Sequence, residues 1–211
     1  MLQIQNQLRN FVKIKPLKKI PKYISGVDAI YSKEFSLAVI ITFDYASKNI
    51  LECTYAITKI TFDYKPGLLA FHELPAFLKA WTNLSIEPDV VVFDGYGYAH
   101  PRRVGLATHA SFFIQKPTIG IAKKPFIGTY HKISNFLEKF SYLADNDEII
   151  GAVLQTNPIN KPIFISIGNN ITLEESMQIV NNFTLLTSRI PLLTAIPDRM
   201  TKILKKVCFQ S

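Results

Sequence analysis

The distribution of hydrophobic and polar residues along the chain predicts strands first, and then alternating helices and strands. A basic, helix-compatible segment ends at about Lys22. Three stretches rich in Val, Ile, Tyr and Thr follow, a composition typical of strands: Tyr23–Ser32, Ser36–Tyr45 and Ile50–Phe62. Because the connections between them are short, the three strands are expected to form an antiparallel meander.

The pattern changes after Pro66-Gly67. Apolar residues at helical spacing predict a helix over Leu68–Leu84, and a second helix is expected over Arg103–Gln115. Two short runs of β-branched and aromatic residues, Asp89–Phe93 and Thr118–Ala122, are typical of buried parallel strands. Three antiparallel strands followed by alternating helices and parallel strands predict an α/β fold. We expect an RNase H-like mixed sheet flanked by helices.

The last third of the chain continues this plan. Glu148–Gln155 and Pro162–Ile167 are predicted as a pair of strands, and capping-box spacing opens a helix over Thr172–Phe183. A final basic helix is expected after Pro197. Neither a repeat nor an interdomain linker is evident, so residues 1–211 are expected to form a single domain.

Composition adds information about partners and compartment. The chain has 211 residues, 48% of them hydrophobic, and a formal net charge of +8, which favours polyanionic partners. Cys53 and Cys208 lack metal-binding spacing and are interpreted as free thiols of a reducing compartment. The sequence shows no signal peptide and no apolar run long enough to span a bilayer. A cytoplasmic protein that does not enter membranes is therefore expected. A monomer is the expected oligomeric state, although no feature of the sequence determines it.

Three acidic residues at strand ends or on a flanking helix are candidate metal ligands, and a lone carboxylate at Asp28, inside an apolar strand, would be costly to bury. Asp28 lies inside an apolar strand, Asp94 ends the second buried strand, and Glu73 lies on the first long helix between Phe71 and Leu74. Their convergence on a divalent cation is one hypothesis. The alternative is that each caps a helix or forms an ion pair.

The segment Phe93–His109 carries a more specific pattern. A strand that ends in an acid is followed by glycines, His100, Arg102, Arg103 and the start of a helix. Glycines permit close backbone approach and helix N-termini attract anions, so this pattern suits phosphate and base recognition. The alternative is a hydrogen-bonded structural histidine and a solvated helix start.

At this point the sequence resembles the endonuclease V family. Four blocks occur in family order with near-family spacing: Ile24–Asp28, Tyr64–Glu73, Phe93–His109 and Pro117–Lys124. The resemblance implies a metal-dependent repair endonuclease that uses Mg²⁺, with Mn²⁺ as a substitute. Such an enzyme cleaves the second phosphodiester bond on the 3′ side of deoxyinosine or inosine and leaves 3′-hydroxyl and 5′-phosphate ends.

Residue roles also follow from the resemblance. Asp28, Glu73 and Asp94 would bind the metal, and Lys123 would lie close to the scissile phosphate. His100 would help to hold the substrate or a water molecule. Without the resemblance, Lys123 would be interpreted as part of a solvated basic loop.

For base recognition, the resemblance makes Tyr64 a wedge that fills the gap left by a flipped-out base. Read without the resemblance, Tyr64 would be an aromatic residue at a strand end. Backbone groups near the glycines of the matching blocks would line the inosine pocket, and two arginines would contact phosphate. These further substrate contacts are Gly67, Leu69, Gly97, Gly105, Arg102 and Arg103.

The sequence departs from the family pattern at three places. The wedge segment is Asp63–Gly67, with a lysine where the family has isoleucine, and the C-terminal motif is eroded over Arg189–Thr194. Asn169 stands where the family has a histidine that the resemblance places at the metal site. Three functions stay open: a nuclease acting on deoxyinosine in DNA, a ribonuclease acting on inosine in RNA, and a non-catalytic binder of nucleic acid.

Overall fold

The computed structural model describes residues 1–61, 65–133, 139–156 and 161–209. The strands are β1 (Tyr23–Tyr31), β2 (Phe35–Asp44), β3 (Ile50–Lys59), β4 (Val90–Asp94), β5 (Thr118–Ala122), β6 (Thr129–Tyr130), β7 (Phe140–Asp145), β8 (Glu148–Leu154) and β9 (Ile163–Asn169). The helices are α1 (Leu2–Arg9), α2 (Leu69–Trp81), α3 (Leu106–Ile114), α4 (Leu173–Asn182) and α5 (Leu192–Phe209).

The strands form one nine-stranded mixed sheet in the order β3-β2-β1-β4-β5-β9-β8-β7-β6. The β1–β4 and β4–β5 pairs are parallel, and the other neighbouring strands are antiparallel. The predicted α/β class, with a three-stranded meander joined to parallel strands, is therefore confirmed. Parallel neighbours bring the carboxyl ends of β1 and β4 to the same edge of the sheet, where sites in α/β folds commonly lie.

Helices cover both faces of the sheet, which explains the nearly continuous hydrophobic runs in the central strands. In β2, Val39 and Ile41 pack in a core that includes residues of α4 and α5. Their neighbours Ala38 and Ile40 pack in the opposite core, against α2 and α3. Successive residues of β2 therefore point into two different apolar cores, so the strand does not show the alternation of polar and apolar residues that a half-exposed strand has.

The C-terminal helix begins earlier than the sequence predicts. We expected a helix after Pro197, whereas α5 begins at Leu192 and contains Pro197 in its second turn. Pro197 has no N–H to donate to the carbonyl of Leu193, four residues earlier. That carbonyl lies against β1, where a Cβ built on Gly26 would come within 1.8 Å of its oxygen. The lack of a side chain at Gly26 thus lets α5 pack directly on the central strand.

The sequence pattern predicts no element between β5 and β8, whereas the structure has β6 and β7 there. Most residues of β7 are exposed or half-buried, so the hydrophobic pattern that identified the central strands is weak there.

Within the residues described, none of the helices combines the length and hydrophobicity needed to cross a bilayer.

Replacing Gly26 by alanine should lower the free energy of unfolding by more than about 2 kcal/mol, within the range for overpacked sites. The added Cβ would meet backbone atoms of Leu193, which cannot move without displacing α5. Urea unfolding monitored by circular dichroism measures the loss. Gly95→Ala is the control, because its Cβ would meet the movable side chain of Leu106 at 3.2 Å. Equal losses in the two variants would contradict the close packing of α5 on β1.

Candidate active site

Three carboxylates meet at the carboxyl ends of β1 and β4. The pairing of Val27 with Phe93 in the parallel register places the next residues, Asp28 and Asp94, side by side. Asp198 joins them from α5, which packs on the same face of the sheet. One carboxylate oxygen from each of the three aspartates lies within 4.8 Å of the other two. We call these residues the aspartate cluster.

Sequence reasoning missed Asp198. The residue lies in a helix whose other charged members are Arg199, Lys202, Lys205 and Lys206, so the segment was interpreted only as a basic helix. An isolated acid in a basic helix was the available signal, but its position over Asp28 depends on how α5 crosses the sheet.

Burial and repulsion within the cluster disfavour the charged form of Asp28. Asp28 is 9% exposed, and burial raises its pKa to about 7, with Asp94 and Asp198 adding to the shift. A hydrogen bond from the Thr201 hydroxyl to Oδ2 of Asp28, 2.6 Å long, acts in the opposite direction. Thr201 therefore fixes the Asp28 carboxylate, and α5 contributes both a hydrogen-bond donor and an acid to this site.

Glu73 approaches the cluster from the opposite helical layer. It is 5% exposed on α2, and burial raises its pKa well above the ordinary value, with further repulsion from Asp28 and Asp94. It is not one of the three residues whose oxygens all lie within 4.8 Å of one another in the described part of the chain. Glu73 is thus an electrostatic neighbour of the aspartate cluster.

Two lysines border the aspartate cluster. Nζ of Lys123, the residue directly after β5, lies 2.7 Å from Oδ2 of Asp94. Nζ of Lys202 lies 2.6 Å from Oδ2 of Asp198, one helical turn along α5. Burial lowers the pKa of Lys123, but the contact with Asp94 outweighs it and the net shift is upward. Lys123 therefore remains cationic beside the acids.

The donor set of the cluster fits a hard divalent cation. Such ions prefer carboxylate oxygens, and the three aspartates supply these within a few ångströms of one another. The raised pKa of Asp28 points the same way, because a bound cation would remove the repulsion that favours protonation. Asp28, Asp94 and Asp198 would hold the ion, with Glu73 contributing negative charge nearby.

A cavity of about 240 Å³ is lined by Tyr96, two residues along the chain from Asp94. It is shared by the start of α2, the loop after β4 and the start of α3, and its lining includes four residues that the sequence nominated. Phe126 and Gln5 also line it, although sequence reasoning missed both. The lining residues are Gln5, Gly67, Leu69, Ala70, Tyr96, His100, Gly105, Leu106 and Phe126.

His100 is held in one orientation at the cavity wall. Its Nδ1 accepts a hydrogen bond from the backbone N–H of Arg102 at 3.2 Å, so Nε2 is the protonated nitrogen and donates to the carbonyl oxygen of Gly67 at 3.2 Å. Burial and the neighbouring positive charge of Arg102 lower the pKa of His100 to about 4. The imidazole is therefore neutral near pH 7.

The two arginines that sequence reasoning assigned to phosphate have protein partners in this structure. Arg102 donates from Nε to Oε1 of Gln5 at 2.7 Å and from Nη2 to the carbonyl of Gly67 at 2.8 Å. Arg103 is buried, and its Nη2 forms ion pairs with Asp145 and Glu148 at 2.8 and 2.7 Å. The Arg102 guanidinium thus holds the Gly67 segment at the cavity wall, whereas that of Arg103 is bound to the β7–β8 turn.

Of the remaining predicted substrate contacts, Gly97 lies in the loop after β4 and does not line the cavity. The N–H of Gly97 donates to the hydroxyl of Ser166 at 2.9 Å, and the carbonyl of Gly97 accepts from the N–H of Gly105, also at 2.9 Å. These bonds fix the loop between the cluster and the cavity. Tyr64, the predicted wedge, lies outside the described residues.

The structure corrects the expectation for Asn169. In the sheet register Asn169 pairs with Thr118 at the start of β5, whereas Asp94 pairs with Ile121 near its end. Three residues of a strand span about 10 Å, so Asn169 lies at the opposite end of the sheet from the cluster. Its Oδ1 accepts hydrogen bonds from the backbone N–H groups of Lys13 and Asn170 at 2.8 and 3.0 Å. Residue 169 therefore has a structural role, and Asp198 is the third member of the cluster.

Comparisons with known proteins agree with this architecture. The endonuclease V family model matches residues 6–199. Endonuclease V from Petrotoga mobilis is 47% identical over 206 residues, which cover 98% of this chain and 93% of the relative. The crystal structure of endonuclease V from Bacillus subtilis has a TM-score of 0.91 at 34% identity, covering 99% of this chain and 92% of that chain.

A further structural relative carries a nucleic acid. Endonuclease V from Ciona intestinalis, solved in complex with a 24mer DNA containing an inosine followed by a ribo-adenosine, has a TM-score of 0.84 at 26% identity. The match covers 98% of this chain and 97% of the Ciona chain. Fold, cluster and relatives together define a nuclease. The chain belongs to the endonuclease V family, as the sequence blocks predicted.

Replacing Asp28 by asparagine should stabilise the metal-free protein. The asparagine amide has the shape of the aspartate side chain and can still accept the hydrogen bond from the Thr201 hydroxyl, but it carries no charge. Because the folded-state pKa of Asp28 is raised from 3.8 to about 7, its favourable contribution is present below about pH 4 and lost as the pH rises to 7. In EDTA, the unfolding temperature of Asp28→Asn should exceed that of the wild type by a margin that grows from pH 4 to pH 8.

Adding Mg²⁺ gives the second half of this test. The wild type should gain thermal stability on binding the ion, and Asp28→Asn should lose most of that gain. Differential scanning calorimetry at fixed pH measures both. An equal Mg²⁺-induced shift in the variant would show that Asp28 does not hold the ion.

Proposed function

We propose that this protein is a metal-dependent endonuclease that cleaves DNA at the second phosphodiester bond on the 3′ side of deoxyinosine, leaving 3′-hydroxyl and 5′-phosphate ends. Mg²⁺ is the expected cation, and Mn²⁺ the expected substitute. The observation that carries the proposal is the aspartate cluster together with a 240 Å³ cavity lined by Tyr96, two residues after Asp94. Removal of deaminated adenine from DNA is the corresponding repair task.

The cavity is proposed as the site for the flipped-out hypoxanthine base. Backbone groups and apolar side chains dominate its lining, which suits an aromatic base whose edge offers hydrogen-bonding groups. His100 is neutral, with Nε2 turned to Gly67, and Tyr96 fixes the adjacent loop through a 3.1 Å hydrogen bond to the carbonyl of Lys124. Tyr64 is proposed as the wedge that fills the gap in the base stack.

The cluster is proposed as the site of phosphodiester hydrolysis. A divalent cation held there would polarise the scissile phosphate and activate water for attack. Asp28, fixed by Thr201, and Asp94 and Asp198 provide the anionic frame, while Glu73 adds negative potential from the other face of the sheet. Lys123, already 2.7 Å from Asp94, is placed to contact a phosphate oxygen and to stabilise the charge that develops during cleavage.

Two features of the chain connect base recognition with cleavage. Leu69 and Ala70 line the cavity at the start of α2, and Glu73 lies one turn further along that helix. Tyr96 lines the cavity two residues after Asp94 in the loop after β4. A base in the cavity would therefore place its own strand at a fixed distance from the cluster, which would direct cleavage to a defined bond.

A non-catalytic binder is the less favoured function. The sequence feature in favour of a binder is that Asn169 replaces a histidine expected at the metal site. In the structure, however, residue 169 does not lie at the cluster. A third carboxylate, Asp198, stands at the cluster instead. An inosine-directed ribonuclease would use the same cluster and cavity, so substrate preference between DNA and RNA is a matter for experiment.

End-labelled single strands of DNA and of RNA, each with one inosine, should be cut in Mg²⁺ or Mn²⁺ and left intact in EDTA. The expected cut is at the second phosphodiester bond on the 3′ side of the inosine. Product length at nucleotide resolution gives the position, and the better substrate decides between DNA and RNA. Strands with adenine in place of inosine are the control. Retained inosine binding without cleavage in either metal would favour the binder.

Asp94→Ala should abolish cutting while leaving inosine binding within about twofold of wild type, because it removes a member of the cluster and no residue of the cavity lining. Single-turnover cleavage and fluorescence anisotropy in EDTA measure the two properties. Asp147→Ala, which removes an exposed carboxylate in the β7–β8 turn, is the matched control and should cleave normally. Substantial cleavage by Asp94→Ala would contradict the assignment of the cluster.

A further inference from the structure

We propose that Gln5 of the N-terminal helix is a positioning residue for the base cavity, setting the selectivity of the protein for inosine. The inference rests on the proposed function and deepens it. Gln5 is 1% exposed and is the only buried residue of α1, a helix that lies entirely within the described part of the chain. Its apolar neighbours Leu2 and Ile4 are exposed. A helix that buries an amide and exposes its aliphatic side chains is held by specific polar contacts.

The Gln5 amide joins two distant segments of the chain. Nε2 donates to the carbonyl oxygen of Gly67 at 3.1 Å and to that of Val104 at 3.0 Å. Oε1 accepts from Nε of Arg102 at 2.7 Å. Both N–H groups of the amide are therefore used, and each goes to a different segment. Burial of an amide is costly unless it is hydrogen-bonded in this way.

The Gly67 carbonyl is the point where these contacts converge. Its oxygen accepts from Nε2 of Gln5, from Nη2 of Arg102 at 2.8 Å and from Nε2 of His100 at 3.2 Å. Gly67 itself has φ of +80°, and a Cβ there would come within 2.6 Å of the Arg102 guanidinium. The position of this carbonyl is thus determined by three side chains, and Gln5 is the one that belongs to neither segment.

The same groups form the wall of the cavity. Gln5, Gly67 and His100 line it, together with Gly105, the residue after Val104. By bonding the Gly67 and Val104 carbonyls at once, Gln5 fixes the separation between the two segments that enclose the base. A change in that separation would alter the fit of a base in the cavity without touching the aspartate cluster.

A residue that only anchors α1 to the rest of the protein would behave differently from a positioning residue. Loss of an anchoring residue lowers the stability of the protein and leaves its preference for inosine unchanged. Loss of a positioning residue changes the ratio of affinities for inosine and adenine strands, because the general phosphate contacts stay intact while the cavity wall shifts. The affinity ratio is therefore the decisive measurement.

Gln5→Glu is the sharpest variant. Glutamate has nearly the same shape and still accepts from Arg102, but it places oxygen lone pairs opposite the carbonyls of Gly67 and Val104. We expect the Kd for an inosine-containing single strand, measured by anisotropy in EDTA, to rise about tenfold, or about 1.4 kcal/mol. The Kd for the same strand with adenine should change by less than about twofold.

Gln7→Glu is the matched control, since it makes the same chemical change at an exposed position of the same helix. It should preserve the wild-type affinity ratio. If Gln5→Glu fails to fold by circular dichroism, Gln5→Met, which is similar in length and lacks both polar groups, provides the same comparison and the same expected loss.

The outcomes separate this inference from the function on which it rests. A folded Gln5→Glu or Gln5→Met protein with the wild-type inosine-to-adenine ratio overturns the inference and leaves the proposed function standing, even if thermal stability has fallen. A wild-type protein without preference for inosine overturns the proposed function itself. A reduced ratio in the Gln5 variants, with Gln7→Glu unchanged, supports the positioning role.

Discussion

Mutual repulsion between carboxylates is the constraint around which the functional end of this protein is built. Asp28, Asp94 and Asp198 bring oxygens within 4.8 Å of one another, and burial with neighbouring charge raises the pKa of Asp28 to about 7. Attraction among its members cannot assemble such a cluster. The packing of α5 on the sheet, together with the hydrogen bond from Thr201 to Asp28, holds it together. For this reason Gly26, where helix and strand touch, matters to a site two residues away. Sites that oppose folding in this way are typical of function.

The arrangement also explains why the cluster and the cavity share their supports. Helix α2 lines the cavity with its first turn and adds the negative charge of Glu73 near the cluster. The loop after β4 lines the cavity through Tyr96 and directly follows Asp94. Rigid elements that carry both functions maintain the distance between them better than separate loops would. The buried polar network at Gly67 extends this support to the N-terminal helix.

Local sequence predicted the elements whose burial is continuous. The β-branched runs of β1, β2, β4 and β5 and the helical spacing of α2 correspond to observed elements within a few residues. The same rules misplaced the start of α5, because Pro197 is typical of a helix start. In the structure the carbonyl of Leu193, which Pro197 leaves without its helical donor, lies against Gly26. These rules also left β6 and β7 without assignment, because exposed edge strands carry little hydrophobic pattern.

The sequence by itself determined the family, the α/β order of elements, and the candidates Asp28, Glu73, Asp94 and Lys123, because each lies in a block whose local chemistry is distinctive. Only the tertiary structure decided that Asp198 joins Asp28, that Asn169 lies at the far end of the sheet, and that Gln5 reaches the cavity wall. The physical reason is the same in all three cases. Their roles depend on which helix face covers which strand, and on contacts between residues 62 to 173 positions apart, and spacing along a chain carries no information about either.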